Sequence, residues 1–268
     1  IGLANKECII SLGKNFLNLS NKFKSTIIPL DSEHNSIYRL IKKSNKNFRS
    51  ITITASGGPF LNKSKSYLKN ISTKEATAHP IWKMGKKISV DSATLMNKSL
   101  EIIEASILFN LNSKQIKTII HPESILHASL NFDDGTSECL LSNPDMRISI
   151  ASLFDEIDKK KFSKNFLDLE TTNNLTFKKI DTSQFPSIKL GYKVLKKGGL
   201  APHIFNYNND LLVNMFLKDK INYLDIVKYN EITIDKFFKN NKNIQNPNII
   251  QIINTSKWID KNIYLGNY

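Results

Sequence analysis

Arg49-Ser50-Ile51-Thr52-Ile53-Thr54-Ala55-Ser56-Gly57-Gly58-Pro59 alternates apolar and polar residues at period two, then stops on small residues and a proline. That is a strand running into a turn. Downstream, Lys87–Val90 reads as another short strand, after which Asp91 or Ser92 is placed to cap a long helix to about Asn110. Its apolar stripe would be Met96, Leu100, Ile103 and Ile107. Residues 116–120 and 125–132 read as strands, and Asp133-Asp134-Gly135 turns the chain into a further strand at 137–141. Upstream, residues 6–20 carry helical spacing and Ser25–Leu30 is strand-like. Strands interleaved with helices make this an α/β fold.

Periodicity is lost from about 155 to 182, which predicts a linker over 156–182. Helical signals return at 188–196, 210–219, 223–228, 233–239 and 249–264, with Gly198-Gly199 as a stop after the first. The expected organisation is an α/β catalytic segment over 31–155, the linker, and a C-terminal helical bundle over 183–268.

Composition narrows the function classes. Of 268 residues, 40% are apolar and 23% charged, an ordinary globular balance. No apolar run approaches the ~18 residues of a membrane span, and no secretory pattern opens the chain. Cys8 and Cys139 form no CxxC spacing, which excludes a disulfide scaffold or a cysteine zinc site and points to a reducing compartment. The net charge of +14 comes from 35 Lys and only 3 Arg, spread along the chain beside 31 Asn and 36 Ile. This is the bias of an AT-rich genome, and it lacks the Arg-rich, aromatic-interleaved blocks of nucleic-acid readers. No nucleic-acid partner and no membrane are therefore expected.

The chemistry-bearing residues are few. Asp31-Ser32-Glu33 sits at an expected strand end, where positions i and i+2 face one way; two converging carboxylates suit a cation, as they also suit a solvated acidic turn. On the helix after Asp91, Asn97, Lys98 and Glu101 share the face opposite the apolar stripe, with Ser92 near its start. That face could hold a metal and a phosphate, or simply face water. Ser56-Gly57-Gly58 would let backbone amides approach an anion. His79 lies in a loop with Trp82 and Met84 that could form a lid. His34 reads as a core-facing histidine, and His121, His127 and His203 as structural. Neither Gly57-Gly58 nor Gly198-Gly199 extends to a dinucleotide fingerprint.

Taken together, Leu3-Ala4-Asn5-Lys6-Glu7, Pro29 to Asn35, Ser56 to Phe60, His79-Pro80 through Trp82, Met84-Gly85, Ile88 to Thr94 with Asn97-Lys98 and Glu101, His121-Pro122, Ser124-Ile125, His127 and Pro144 to Arg147 resemble, in order, the motifs of 1-deoxy-D-xylulose 5-phosphate reductoisomerases. The resemblance is dense over residues 1–150 and thinner beyond; Asn206-Tyr207-Asn208-Asn209-Asp210 stands where the family has Asn-Ala-Ala-Asn-Glu. It implies a metal site at Asp31, Glu33 and Glu101 for magnesium or manganese, with cobalt as a third candidate. It implies substrate contacts from Ser32, Ser56, His79, Trp82, Ser92, Asn97, Lys98 and Glu101, of which Ser56, Ser92, Asn97 and Lys98 form the phosphate-binding set. Lys6, Glu33 and His79 would serve catalysis, and Asn5, Lys6, Glu7, Met84 and Gly85 would border the nicotinamide of NADPH.

The implied reaction rearranges the carbon skeleton of 1-deoxy-D-xylulose 5-phosphate through a branched aldehyde and reduces it to 2-C-methyl-D-erythritol 4-phosphate. This is a step of isoprenoid precursor synthesis, carried out by a homodimer in a bacterial cytoplasm or a plastid. The family carries an N-terminal NADPH domain, and residues 1–30 read as its last remnant. The chain opens on Ile1 rather than Met, and it is expected to be a fragment or a truncated product. Two other readings compete: a metal-dependent phosphosugar isomerase or aldolase without nicotinamide, and a basic binding module or a decayed, non-catalytic remnant.

Overall fold

The computed structural model describes residues 1–82, 84–154 and 166–263. In chain order these hold β1 (Gly2–Leu3), α1 (Lys6–Leu12), α2 (Lys14–Lys22), β2 (Ile28–Pro29), α3 (Ser32–Lys43), β3 (Ser50–Ala55), α4 (Thr73–Thr77), α5 (Lys86–Ala93) and α6 (Met96–Leu108). They continue with β4 (Ile116–Ile120), β5 (Leu126–Asn131), β6 (Ser137–Leu141), α7 (Met146–Ala151), α8 (Pro186–Lys197), α9 (Ala201–Phe216), α10 (Asp225–Asn240) and α11 (Ile249–Asn262). Of the expected linker, 156–165 lie outside the described residues, as do residue 155 and the end of the last helix at Tyr264.

Two compact units emerge, and neither is a consecutive segment. One comprises Ile1–Asn5, Ser20–Ser56 and Asn110–Ile180; the other comprises Lys6–Leu19, Gly57–Phe109 and Asp181–Tyr268. These units cut across the consecutive division expected from the sequence.

The first unit is built on a mixed sheet in the order β4-β3-β5-β6. The alternating strand β3 is interior to this sheet: Ile51 pairs in parallel with Ile116 and antiparallel with Leu130. Ile51, Ile53, Ala128 and Leu130 are completely buried. Gly135 takes the positive φ of +84° that the β5–β6 turn needs, and the Asp134 carboxylate accepts the Thr136 N–H at 2.9 Å. Helix α3 packs on β5 through a face holding His34, Asn35, Ile37 and Leu40. Asp31 and Glu33 therefore stand at the N-cap and in the first turn of a helix, correcting the strand-end expectation. Residues 35–40 supply the apolar face that carries the chain into helix there.

The second unit is helical. One core joins Ile10, Met96, Leu100 and Ile103 to Leu190, Ile204, Phe205 and Ile259; a second joins Phe60, Val90 and Ala93 to Leu212, Val213 and Phe216. The expected strand at Lys87–Val90 is helix α5, because Val90 and Ala93 bury one turn apart in the second core. The long helix expected from Asp91 breaks at Leu95, whose φ of 54° is left-handed, and α6 starts at Met96. A left-handed leucine costs about 1–2 kcal/mol. Its neighbours hold it there: Ser187 Oγ donates to Thr94 O at 2.6 Å and Tyr223 Oη to Ala93 O at 2.7 Å. Helix α9 begins nine residues before the expected 210, with Pro202 in its first turn. The two short helices expected at 223–228 and 233–239 are one, with Ile226, Asn230, Thr233, Ile234 and Phe237 on a single buried stripe.

Candidate active site

In the first unit, Asp31 caps α3 without using its carboxylate as a cap, and that side chain stays about one-sixth exposed. Ser32 Oγ donates to Glu33 Oε2 at 2.5 Å. His34, fully buried on α3, has Nδ1 4.0 Å from Asp31 Oδ2. Carboxylates are favoured in this first turn, where the helix dipole is positive and backbone N–H groups lack helical partners. Asn35 Nδ2 fixes the turn by donating to Pro29 O at 2.9 Å and to Ser152 Oγ at 2.8 Å.

In the second unit, the polar face of α6 does not face water. Lys98 is 3% exposed and Glu101 0%. The Lys98 ammonium bonds Glu101 Oε2, and Asn97 Nδ2 donates to Glu101 Oε1. Lys6, at the start of α1 and 7% exposed, donates to Asn97 Oδ1 at 2.9 Å and lies 3.6 Å from Glu101 Oε1. Burying one carboxylate between two ammoniums is costly unless the charges pair closely, as they do here. Cations and an amide are thus already desolvated where a phosphorylated ligand would want donors, and the carboxylate is one a hard cation would want.

Ser92 is half-buried in the last turn of α5. A Cβ on Gly58, whose φ is +63°, would fall 2.8 Å from Ser92 O, so the Gly-Gly turn lies against this backbone. Ser56, the last residue of the first unit before that turn, is half-buried. His79 Nδ1 accepts the N–H groups of Ile81 at 3.1 Å and Trp82 at 2.9 Å, folding the 79–82 turn around its own ring. Its proton then belongs on Nε2, and burial lowers its pKa. Trp82 and Met84 are half-buried, and Gly85, at the N-cap of α5, has nothing within 4 Å of where a Cβ would stand. Asn5 is exposed, and Glu7 is half-buried.

The remaining histidines are structural. His121 Nδ1 bonds Thr176 O at 2.9 Å, His127 Nε2 bonds Ser142 Oγ at 3.0 Å, and His203 sits between Ser11 and Ser256, 3.0 Å from each hydroxyl. Sequence reasoning missed a second charged cluster around Lys87, whose ammonium lies 2.9 Å from Asp91 Oδ2 and 2.8 Å from Asp210 Oδ1. Burial works against this ammonium, but Asp91 and Asp210 outweigh it and hold its pKa above the usual lysine value. Lys87 and Asp91 are four apart, a helical pair that was invisible while 87–90 read as strand. In the Asn206–Asp210 segment, Tyr207 reaches Asp260 at 3.0 Å and Asn208 is fully buried.

Asp31, Glu33 and Glu101 offer carboxylate oxygens only, a donor set that fits magnesium or manganese. No G-x-G-x-x-G occurs in the 268 residues. Among the described residues, no helix is long and apolar enough to cross a membrane.

Comparison with known proteins agrees with the motifs. The family model "1-deoxy-D-xylulose 5-phosphate reductoisomerase C-terminal domain" matches residues 27–109, and "DXP reductoisomerase C-terminal domain" matches 141–262. The 1-deoxy-D-xylulose 5-phosphate reductoisomerase of Sulfurihydrogenibium sp. is 45% identical over 238 residues, covering 88% of this chain and 62% of that protein. That of Thermoanaerobacter pseudethanolicus is 40% identical, covering 98% of this chain and 68% of the relative. The chain thus spans a little under two thirds of the first relative and slightly more of the second. A crystal structure of DOX-P reductoisomerase in complex with NADPH, fosmidomycin and magnesium superposes with a TM-score of 0.91 at 34% identity, covering 98% of this chain and 68% of that one. The Zymomonas mobilis reductoisomerase in complex with NADPH gives 0.87 at 31% identity, covering 98% and 66%. The chain belongs to the 1-deoxy-D-xylulose 5-phosphate reductoisomerase family.

Proposed function

We propose that this chain supplies the metal- and phosphosugar-binding part of a reductoisomerase that converts 1-deoxy-D-xylulose 5-phosphate to 2-C-methyl-D-erythritol 4-phosphate. The observation that carries the reading is the desolvated polar face of α6, where Lys98 and Glu101 are buried together. The complexes of the relatives with NADPH, magnesium and fosmidomycin support it.

Asp31, Glu33 and Glu101 are the residues that would hold a divalent cation. Bound there, the cation would supply Lewis-acid polarisation of the substrate's ketone and hydroxyl oxygens. NADPH would supply the hydride, with Asn5, Lys6, Glu7, Met84 and Gly85 bordering the nicotinamide. Ser56, Ser92, Asn97 and Lys98 bind the phosphate, and these contacts, remote from the reacting carbons, provide binding energy for orientation. Ser32 and Lys6 hydrogen-bond substrate oxygens. His79 offers Nε2–H toward the substrate while its Nδ1 holds the Trp82 turn, so ring and indole would close together and exclude water.

The α/β segment serves as the catalytic part, with the helices beyond 183 as its support. Assembly as a homodimer and a bacterial cytoplasmic setting extend the same reading; for the second, the relatives named above are bacterial.

Product analysis tests it. Magnesium, NADPH and 1-deoxy-D-xylulose 5-phosphate should give 2-C-methyl-D-erythritol 4-phosphate with matching NADPH oxidation. A rearranged or cleaved sugar phosphate released at full rate without NADPH would instead identify an isomerase or aldolase.

A further inference from the structure

Lys87 is the second residue of α5, and its ammonium gathers carboxylates from three helices. Asp91 of α5 lies at 2.9 Å, Asp210 of α9 at 2.8 Å and Glu7 of α1 at 3.5 Å. Asp91 is 1% exposed, and its other oxygen accepts Asn209 Nδ2 at 2.8 Å. One ammonium and one amide therefore hold three carboxylates, one of them buried, and no other cation is seen among them in the described residues. Removing the ammonium would leave a desolvated carboxylate beside two like charges, a strongly repulsive arrangement.

What the cluster connects gives it a role. Glu7 follows Lys6, which reaches Asn97 and Glu101. Asp91 precedes Ser92. On its N-terminal side, Lys87 follows Lys86 and the N-cap Gly85, where a Cβ would meet nothing within 4 Å.

We propose that Lys87 is a positioning residue, the electrostatic anchor that fixes α5 and the first turn of α1 to α9 so that Ser92 and Lys6 stay in place. The anchor stands on the contacts alone; its benefit to phosphosugar binding rests on the function proposed above.

Hydrogen exchange on the 268-residue chain, followed peptide by peptide, tests the anchor directly. Lys87→Met should raise amide exchange in α5 and the first turn of α1 by about tenfold while α10 and α11 keep wild-type protection. Lys87→Arg should restore most of that protection. Should Lys87→Met fail to fold, Asp210→Asn, at the more exposed end of the cluster, should raise exchange in the same segments by a smaller factor. Unchanged exchange in α5 and α1, or an equal rise in α10 and α11, would overturn the anchor.

A second measurement separates this from the functional reading. With magnesium, Lys87→Met should bind 1-deoxy-D-xylulose 5-phosphate about tenfold more weakly than wild type, a difference of about 1.4 kcal/mol, with affinity recovered in Lys87→Arg. A wild-type chain that binds no phosphosugar but shows the local exchange pattern would sink the functional reading and leave the anchor standing. Equal binding and equal exchange in wild type and Lys87→Met would sink the anchor alone.

Discussion

Helices α3 and α6 both carry carboxylates proposed as metal ligands, but the two helices pay for them differently. At α3, Asp31 and Glu33 occupy a helix N-terminus, where the dipole favours negative charge and water still reaches the side chains. At α6, Glu101 sits beyond the first turn, fully desolvated, and is held by Lys98, Lys6 and Asn97. A carboxylate at a helix start is compatible with many roles, including none. One buried under two lysines requires a whole arrangement of side chains to exist, so the α6 face says more about function than the α3 turn.

The largest effect expected from this contrast is at Glu101. Glu101→Gln leaves two buried ammoniums facing a neutral amide and should cost about 3 kcal/mol of stability in urea unfolding. Asp31→Asn, which keeps a good N-cap residue, should cost less than about 1 kcal/mol. Both should lose magnesium-dependent ligand binding. Equal stability losses would erase the distinction between the two helices.

A second effect, spread over a range of pH, concerns His203. His203 ties α1, which carries Lys6, to α11 through Ser11 and Ser256, and burial lowers its pKa from 6.5 to about 4. The unfolded chain therefore takes up this proton first: between about pH 6.5 and 4 its His203 is protonated while that of the folded state is not. Stability should fall as pH is lowered through that window, by about 3 kcal/mol in all, with no contribution from this group above it. His203→Gln should remove that part of the slope in melts from pH 4.5 to 7.5. An identical slope in the variant would assign the acid sensitivity elsewhere.

The mildest probe is Gly58→Ala. Its Cβ would press on Ser92 O from a left-handed backbone, at a cost of about 1–2 kcal/mol. The loss should be accompanied by weaker binding of inorganic phosphate in calorimetry, with the magnesium response retained. A variant as stable as wild type and equally avid for phosphate would remove the Gly-Gly turn from the site.

Much of the first unit was legible from residue pattern alone. The alternation at 51–54 and the Asp-Asp-Gly turn are short-range signals, and the sheet follows them. The stripe Met96, Leu100 and Ile103 likewise lies in a core. The α5–α6 junction was not legible. Its left-handed Leu95 is imposed by Ser187 and Tyr223 from 92 and 128 residues further along the chain, and nothing near Leu95 announces it. The Asp31 turn was misread because a two-residue strand, Ile28–Pro29, is too short to set an alternation that could be followed past the proline. The candidate site residues stand out through the order of several motifs together, whereas the burial of Lys98 and Glu101, which sets that face apart from a solvated one, depends on helices brought in from elsewhere in the chain.

The most direct test of the central claim is calorimetric titration of 1-deoxy-D-xylulose 5-phosphate into the 268-residue chain, with magnesium and then with chelator. Binding that appears with magnesium and disappears with chelator is the predicted result. A folded sample that binds in neither condition, or equally in both, would contradict the assignment of Asp31, Glu33 and Glu101 to a metal-dependent phosphosugar site.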